Sequence, residues 1–273
     1  MWPFRLWTWV DSALKGWVLG VQQYSVLAAK AFRSIFSRPF YGRDVLTQMD
    51  AIGVASLGIV VLTGLFTGMV LALQSSIEMK RFGATIYIGR LVGASAVREL
   101  GPVLTALMVA GRVGSGIAAQ LGSMKVTEQI DALHVIGTDP IKKLVVPRLV
   151  AALVMLPLLT VITDLVAISG GLLIAVAKLG LSADLYLRSV YQTLAASGFL
   201  FTYLPRDVLA GLLKPVFFGA IIAITGCYYG FETRGGTEGV GLSTTRAVVT
   251  ASILILASDY FLTQLLITLL FPG

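Results

Sequence analysis

The sequence predicts an all-α integral membrane protein: an N-terminal interfacial amphipathic helix and five transmembrane helices, with a further short helix on the cytoplasmic side. Three observations carry that expectation. Only 13% of the 273 residues are charged, and the mean hydropathy is +0.87, a membrane-protein composition. The run from Ala51 to Ile77 holds no charged residue in 27 positions, about 40 Å of helix at 1.5 Å per residue, enough to cross a bilayer with tilt. Four more apolar runs follow, at about 96–124, 147–177, 208–231 and 247–271, interrupted by Arg112, Asp164, Lys214 and Asp259 respectively.

Residues 1–40 read as an interfacial helix. Val10, Leu14, Trp17, Val21, Tyr24, Ala28, Ala31 and Ile35 recur at spacings of three and four, with Lys15, Gln22, Lys30 and Arg33 off that stripe. All four tryptophans (Trp2, Trp7, Trp9, Trp17) fall here, where indole rings suit the water–lipid boundary. Gln22 and Gln23 interrupt the uncharged run from Gly16 to Ala29, and Lys30 and Arg33 follow where a cleavage site would stand, so a signal peptide is not expected.

Orientation follows from the basic residues. With the N-terminus cytoplasmic, the inner segments carry thirteen Lys and Arg and the outer ones seven; five spans then put the C-terminus in the periplasm. Between the third and fourth spans, Leu185, Tyr186, Val190, Thr193 and Leu194 mark an amphipathic helix over 182–197 on the outer side. After the second span, 125–138 forms an exposed amphipathic helix: Val126, Ile130 and Leu133 share one face, Glu128 and Asp131 another, and Gly137 and Pro140 end it. Its apolar face suits docking into the groove of a soluble partner.

Gly64, Gly68 and Ala72 form a ridge without bulk in the first span, as do Ala110, Gly114, Ala118 and Gly122 in the second, beside a parallel ridge of Gly111, Ser115, Ala119 and Ser123. Such ridges let helix backbones approach closely in lipid. Arg98, Glu99 and Arg112 are different in kind, because charges persist in spans where they pair, face a wet cavity or work. In a regular helix Arg98 and Arg112, 14 residues apart, share nearly one face.

Several functions are disfavoured. The net charge of +7 is dispersed between apolar runs without an aromatic-interleaved basic patch, so nucleic-acid binding is not expected. One cysteine, Cys227, and one histidine, His134, do not make a zinc ligand set, and no metal or other cofactor is expected. The phosphate-binding pattern G-x-x-x-x-G-K-[ST] is missing from the sequence, so energy from ATP would have to come from a partner.

The stretches "TGLFTGMVLALQ" (63–74), "VRELGPVLTALMVAGRVGSGIAAQLGSMKVTEQIDAL" (97–133), "DPIKKLVVPR" (139–148) and "EGVGLSTTRAVV" (238–249), in order along most of the chain, resemble the MlaE/YrbE family, permease subunits of bacterial ABC systems that move lipids with MCE-domain proteins. The resemblance implies a single permease domain over 1–273 acting as a homodimer in the inner membrane, with a lipid cavity between the two subunits. It implies a cytoplasmic ABC ATPase partner (MlaF-like) docked on the 125–138 helix, an MCE-domain partner (MlaD-like) and a STAS-domain partner (MlaB-like). The function implied is transfer of phospholipids or related lipids between the inner membrane and the MCE protein, in the service of outer-membrane lipid asymmetry. Substrate-binding residues carried over are Arg98, Glu99, Gln74 and Arg246, and ATPase-coupling residues Glu128, Ile130, Asp131 and Leu133. The family's usual arginine is replaced here by Leu242.

Two other readings remain open at this point. A secondary transporter would use Asp164, Lys214 and Asp259 for ion coupling, although no internal repeat is evident. An intramembrane enzyme would use Ser115 as nucleophile and His134 as base.

Overall fold

The computed structural model describes residues 2–39, 41–196, 198–200 and 204–270, with side chains from Lys15 onward except Trp17, Phe199, Leu200 and Leu204. The four tryptophans and the Val10–Leu14 end of the N-terminal stripe therefore lie outside the described side chains, as does residue 271 at the end of the last expected span. Eleven α-helices are described: α1 Trp2–Ile35, α2 Gly42–Ile52, α3 Leu57–Arg81, α4 Ile88–Ser95, α5 Gly101–Val109, α6 Ser115–Val126, α7 Gln129–Val135, α8 Val146–Leu179, α9 Ala183–Ala196, α10 Arg206–Phe231 and α11 Gly236–Leu270. A two-residue antiparallel pairing, Phe199–Leu200 with Leu204–Pro205, joins α9 to α10.

Among the described residues five helical segments are long and apolar enough to span a membrane: Gly42–Arg81, Thr85–Val126, Ile141–Leu179, Arg206–Phe231 and Gly236–Leu270. In hydrocarbon each backbone N–H and C=O must be satisfied within its own segment, which is why these runs stay helical through Pro102, Pro157 and Pro215. The first segment is interrupted at Gly53, where a turn and a 3-10 stretch over Val54–Ser56 separate α2 from α3. The side chain of Met155 packs where a Cβ on Gly53 would stand, 1.9 Å away. The second segment is not a uniform helix. Single π-turns, Ala96–Leu100 and Ala110–Gly114, interrupt it on either side of α5.

The small-residue ridges are used inside one chain. Gly64, Gly68 and Ala72 are buried, and a Cβ on Gly68 would lie 1.8 Å from the carbonyl oxygen of Ala167, so α3 and α8 touch backbone to backbone there. Ala110, Gly114, Ala118 and Gly122 are likewise buried and receive Gly226 and Gly230 of α10. The neighbouring Gly111 and Gly116 face open space.

Two cores result. The larger joins α5, α6, the first half of α8 and α10 around Leu149, Leu156, Phe218 and Ile222. The smaller joins α3, α4, the end of α8 and α9 around Ile88, Val92, Tyr186 and Val190. The amphipathic stripe of α9 is thus seated on the protein, with the Tyr186 hydroxyl donating to the Ile168 carbonyl at 3.2 Å. Helix α1 lies against the larger core through Tyr24, Leu27, Ala28, Ala31 and Ile35, and Tyr24 meets Thr225 Oγ1 at 3.2 Å. Val21, expected on that stripe, is exposed.

Candidate functional site

The site begins with Pro102. A proline has no N–H to give to the carbonyl four residues back, so the Arg98 carbonyl loses its helical donor. The Ala96–Leu100 π-turn sits immediately before it, closed by the Gly101 N–H on the Ala96 carbonyl. Into the gap comes Lys214 from α10, whose Nζ donates to the Arg98 carbonyl at 3.0 Å. The approach is possible because α10 presents Gly211 to the turn: a Cβ there would stand 2.2 Å from the Val97 carbonyl oxygen.

The same ammonium collects two carboxylates. Lys214 Nζ lies 2.5 Å from Glu99 Oε2 and 3.1 Å from Asp259 Oδ1 of α11. The Asp259 contact is an ion pair off hydrogen-bonding geometry, since that oxygen has no hydrogen-bond partner. Thr263, one helical turn beyond Asp259, donates to Glu99 at 3.3 Å. Beside them Arg98 Nη2 donates to Asp207 Oδ2 at 2.7 Å. Exposure divides these groups: the Lys214 side chain is 2% exposed and that of Asp207 0%, whereas Arg98 and Glu99 keep 45% and 43%. The two buried groups set the frame, and the two half-exposed ones face the cavity.

That cavity has a volume of about 580 Å³. Arg98, Glu99, Lys214 and Thr263 give it a polar wall, and Ala210, Leu266 and Ile267 an apolar one. It lies at the end of the bundle where α9 packs, and Thr193 and Ala196 of α9 border it. Counting along the helix, Val126 at the α7 end is about 40 Å away at 1.5 Å per residue.

Not every expected site residue gathers here. Gln74 is exposed on α3 and does not border the cavity. Arg246 is exposed on α11, 17 residues before Thr263, about 26 Å along that helix. Leu242 is exposed one turn earlier. Arg112 does not share the face of Arg98, because a π-turn holds an extra residue and shifts the helical register. Its Nη1 instead donates to Ser56 Oγ at 2.9 Å and the Ala51 carbonyl at 3.4 Å, tying the second segment to the α2–α3 junction.

Of the ion-coupling candidates, Lys214 and Asp259 belong to the cluster with Glu99. Asp164 lies apart on α8, its Oδ1 packed against Gly101. Ser115 and His134 do not meet: Ser115 Oγ donates back to the Gly111 carbonyl at 2.6 Å and borders a cavity with Thr244 and Thr245, while His134 borders a groove with Lys30 and Asp139. A nucleophile needs its base within hydrogen-bond reach, so the intramembrane-enzyme reading fails on placement.

The expected helix over 125–138 is broken into two pieces. Helix α6 runs on to Val126, Glu128 takes a left-handed conformation at φ 58°, and α7 covers only Gln129–Val135. Ile130 is 5% exposed and Leu133 packs beside it on the larger core, so these two residues of the stripe expected to face a partner face the protein itself, while Val126 stays exposed. Exposed instead are Val135 at 88% and Ile136 at 72%, with Glu128 and Asp131 nearby; Asp131 pairs with Lys125 at 3.0 Å.

Comparison with known proteins agrees with this architecture. The chain is 46% identical over 245 residues to a probable ABC transporter permease protein of Rickettsia conorii, covering 90% of this chain and 91% of that one. It is 37% identical over 222 residues to the intermembrane phospholipid transport system permease protein MlaE of Haemophilus influenzae, covering 81% and 82%. It is 37% identical over 239 residues to the chloroplastic protein TRIGALACTOSYLDIACYLGLYCEROL 1 of Arabidopsis thaliana, covering 88% and 66%. A family model described as Permease MlaE matches residues 45–265, a stretch that reaches into all five spans and includes Arg98, Glu99, Asp207, Lys214, Asp259 and Thr263, and the chain is a member of that family of ABC transporter permeases.

Proposed function

We propose that this permease moves phospholipids, with the cavity at Arg98 and Glu99 as its headgroup site. The observation that carries the reading is the two-sided wall: half-exposed Arg98 and Glu99 against Leu266 and Ile267. A lipid has a charged head and apolar tails, and a few placed polar groups in a largely apolar wall match it. Arg98 offers its remaining guanidinium N–H groups to a phosphate while Asp207 holds its other edge. Glu99, fixed by Lys214 and Thr263, limits how far the anionic head advances and favours its release. Lys214, Asp207 and Asp259 act as positioning residues.

In this reading the permease works as a homodimer in the bacterial inner membrane, with the α9 end periplasmic and facing an MCE-domain partner. The N-terminus and α7 are cytoplasmic, and the C-terminus is periplasmic. The chain itself is non-catalytic. ATP is hydrolysed by a separate ABC subunit docked on Glu128, Asp131 and the exposed Val135–Ile136 tip, with a STAS-domain protein as an accessory. Support comes from the names of the relatives, ABC transporter permease and intermembrane phospholipid transport permease, and from the exposed apolar tip.

The test is reconstitution of the permease with its co-purifying ATPase in vesicles carrying a headgroup-labelled phospholipid. ATP-dependent transfer of the label to the purified MCE protein, or from it, is the expected result. Transfer that follows an ion gradient without ATP would return the secondary-transporter reading.

A further inference from the structure

The opposite end of the bundle holds a second buried cation beside open space. Arg148, in the first turn of α8, is 4% exposed. Its Nη2 donates to Gln120 Oε1 at 2.8 Å and its Nη1 to the Leu144 carbonyl, while its Nε–H is buried without a partner. Among the described residues no carboxylate forms an ion pair with it. The acid that comes near, Asp44 of α2, is held by Lys143 Nζ at 2.5 Å. Burying a guanidinium with neutral partners alone is costly, and a spare donor in such a site calls for an anion or ordered water.

Space for an occupant exists. Arg148 borders a cavity of about 180 Å³ between α2 and the start of α8, together with Asp44, Thr47, Gln48 and Lys143. Liquid water takes about 30 Å³ per molecule, so the cavity admits a group of phosphate size. Asp44, Lys143 and Arg148 together leave one positive charge in surplus, the complement of a phosphodiester. The depth is also that of headgroups: Asp44 to Gln48 lie just before the uncharged run that begins at Ala51, and Arg148 opens the apolar part of α8. Half-exposed Lys143, with N–H groups beyond the one on Asp44, gives a donor at the cavity's edge, and Arg148 gives the buried charge.

We propose that this cavity is a phosphate site for a phospholipid of the surrounding leaflet, which ties α2 to α8 and is distinct from the Arg98 cavity at the other end. The inference does not rest on the transport reading, and its test needs no transport. Thermal unfolding of the 273-residue chain in detergent is measured with added phosphatidylglycerol, with diacylglycerol, which keeps the tails and lacks phosphate, and with inorganic phosphate alone. In the Arg98→Gln background, which takes the cavity at the other end out of the readout, phosphatidylglycerol should raise Tm by about 2 to 4 °C, diacylglycerol should not, and adding Lys143→Ala or Gln48→Glu should each abolish the rise. A rise with inorganic phosphate that both variants lose keeps the anion site and makes a free ion its occupant. A full phosphatidylglycerol rise in both Lys143→Ala and Gln48→Glu, or an equal rise with diacylglycerol, overturns the proposal and leaves water in the cavity.

Discussion

Lys214 and Glu99 stand 115 residues apart in sequence and 2.5 Å apart in space, and their contact joins the π-turn of the second span to α10. Because Lys214 is 2% exposed, its charge depends on Glu99, Asp259 and the Arg98 carbonyl for stabilisation. Lys214→Met would leave the carboxylates of Glu99 and Asp259 facing each other without a cation. Glu99→Gln in the same chain should restore part of the lost stability. A double-mutant cycle read by thermal unfolding should give a coupling of about 1 to 3 kcal/mol; simple additivity would mean that the pair is not a unit.

Close helix contact makes a sharp prediction at Gly68. Its absent Cβ would fall 1.8 Å from the backbone of Ala167, and backbone cannot step aside as a flexible side chain does. Gly68→Ala should cost more than about 2 kcal/mol and show as a large loss of folded, monodisperse protein. Gly111→Ala, where nothing lies within 4 Å, should be neutral or slightly stabilising through helix propensity. Equal behaviour of the two would contradict the α3–α8 packing.

Because the expected 125–138 helix is split, substitutions at its buried and exposed apolar residues should act differently. Ile130→Asp puts a charge into the larger core, where Ile130 is 5% exposed, and should lower Tm and yield. Val135→Asp and Ile136→Asp alter exposed positions and should leave folding unchanged while weakening ATPase co-purification about tenfold or more. A normal Tm for Ile130→Asp would return that residue to the partner-facing surface.

Glu99 carries a graded prediction. Glu99→Ala removes the acceptor of Thr263 and one of the two carboxylates on Lys214, yet Asp259 remains at 3.1 Å. The variant should still fold and bring its ATPase, while its ATP-driven lipid transfer changes at least severalfold. Transfer at the unaltered rate would leave Glu99 a structural partner of Lys214 with no part in lipid transfer.

The spans were legible in the sequence because hydrocarbon demands long apolar helices, and the charges Arg112, Asp164, Lys214 and Asp259 barely interrupt them. The interruption at Gly53 was not, because the Met155 side chain that fills the space beside it comes from another helix, α8. The π-turns left one mark, Pro102, whose missing N–H frees the carbonyl that Lys214 takes; the register shift that parts Arg98 from Arg112 left none. Arg98 and Glu99 stood out as charges in an apolar run. Their partners Asp207, Lys214, Asp259 and Thr263 come from two other helices, and spacing along one helix carries no information about those. The stripe of Ile130 and Leu133 was visible, but periodicity does not tell whether the chain itself or a partner covers an apolar face.

In the proposed function Arg98, held by Asp207, binds the lipid headgroup from the cavity wall. Mass spectrometry of phospholipid retained by the purified permease–ATPase complex checks this, comparing the wild type with Arg98→Gln and, as a surface control, Arg90→Gln. Arg98→Gln should lower retained phospholipid about tenfold or more, the loss of one charge-assisted hydrogen bond, with Arg90→Gln unchanged. Equal retention in all three would contradict the assignment of the cavity as the headgroup site.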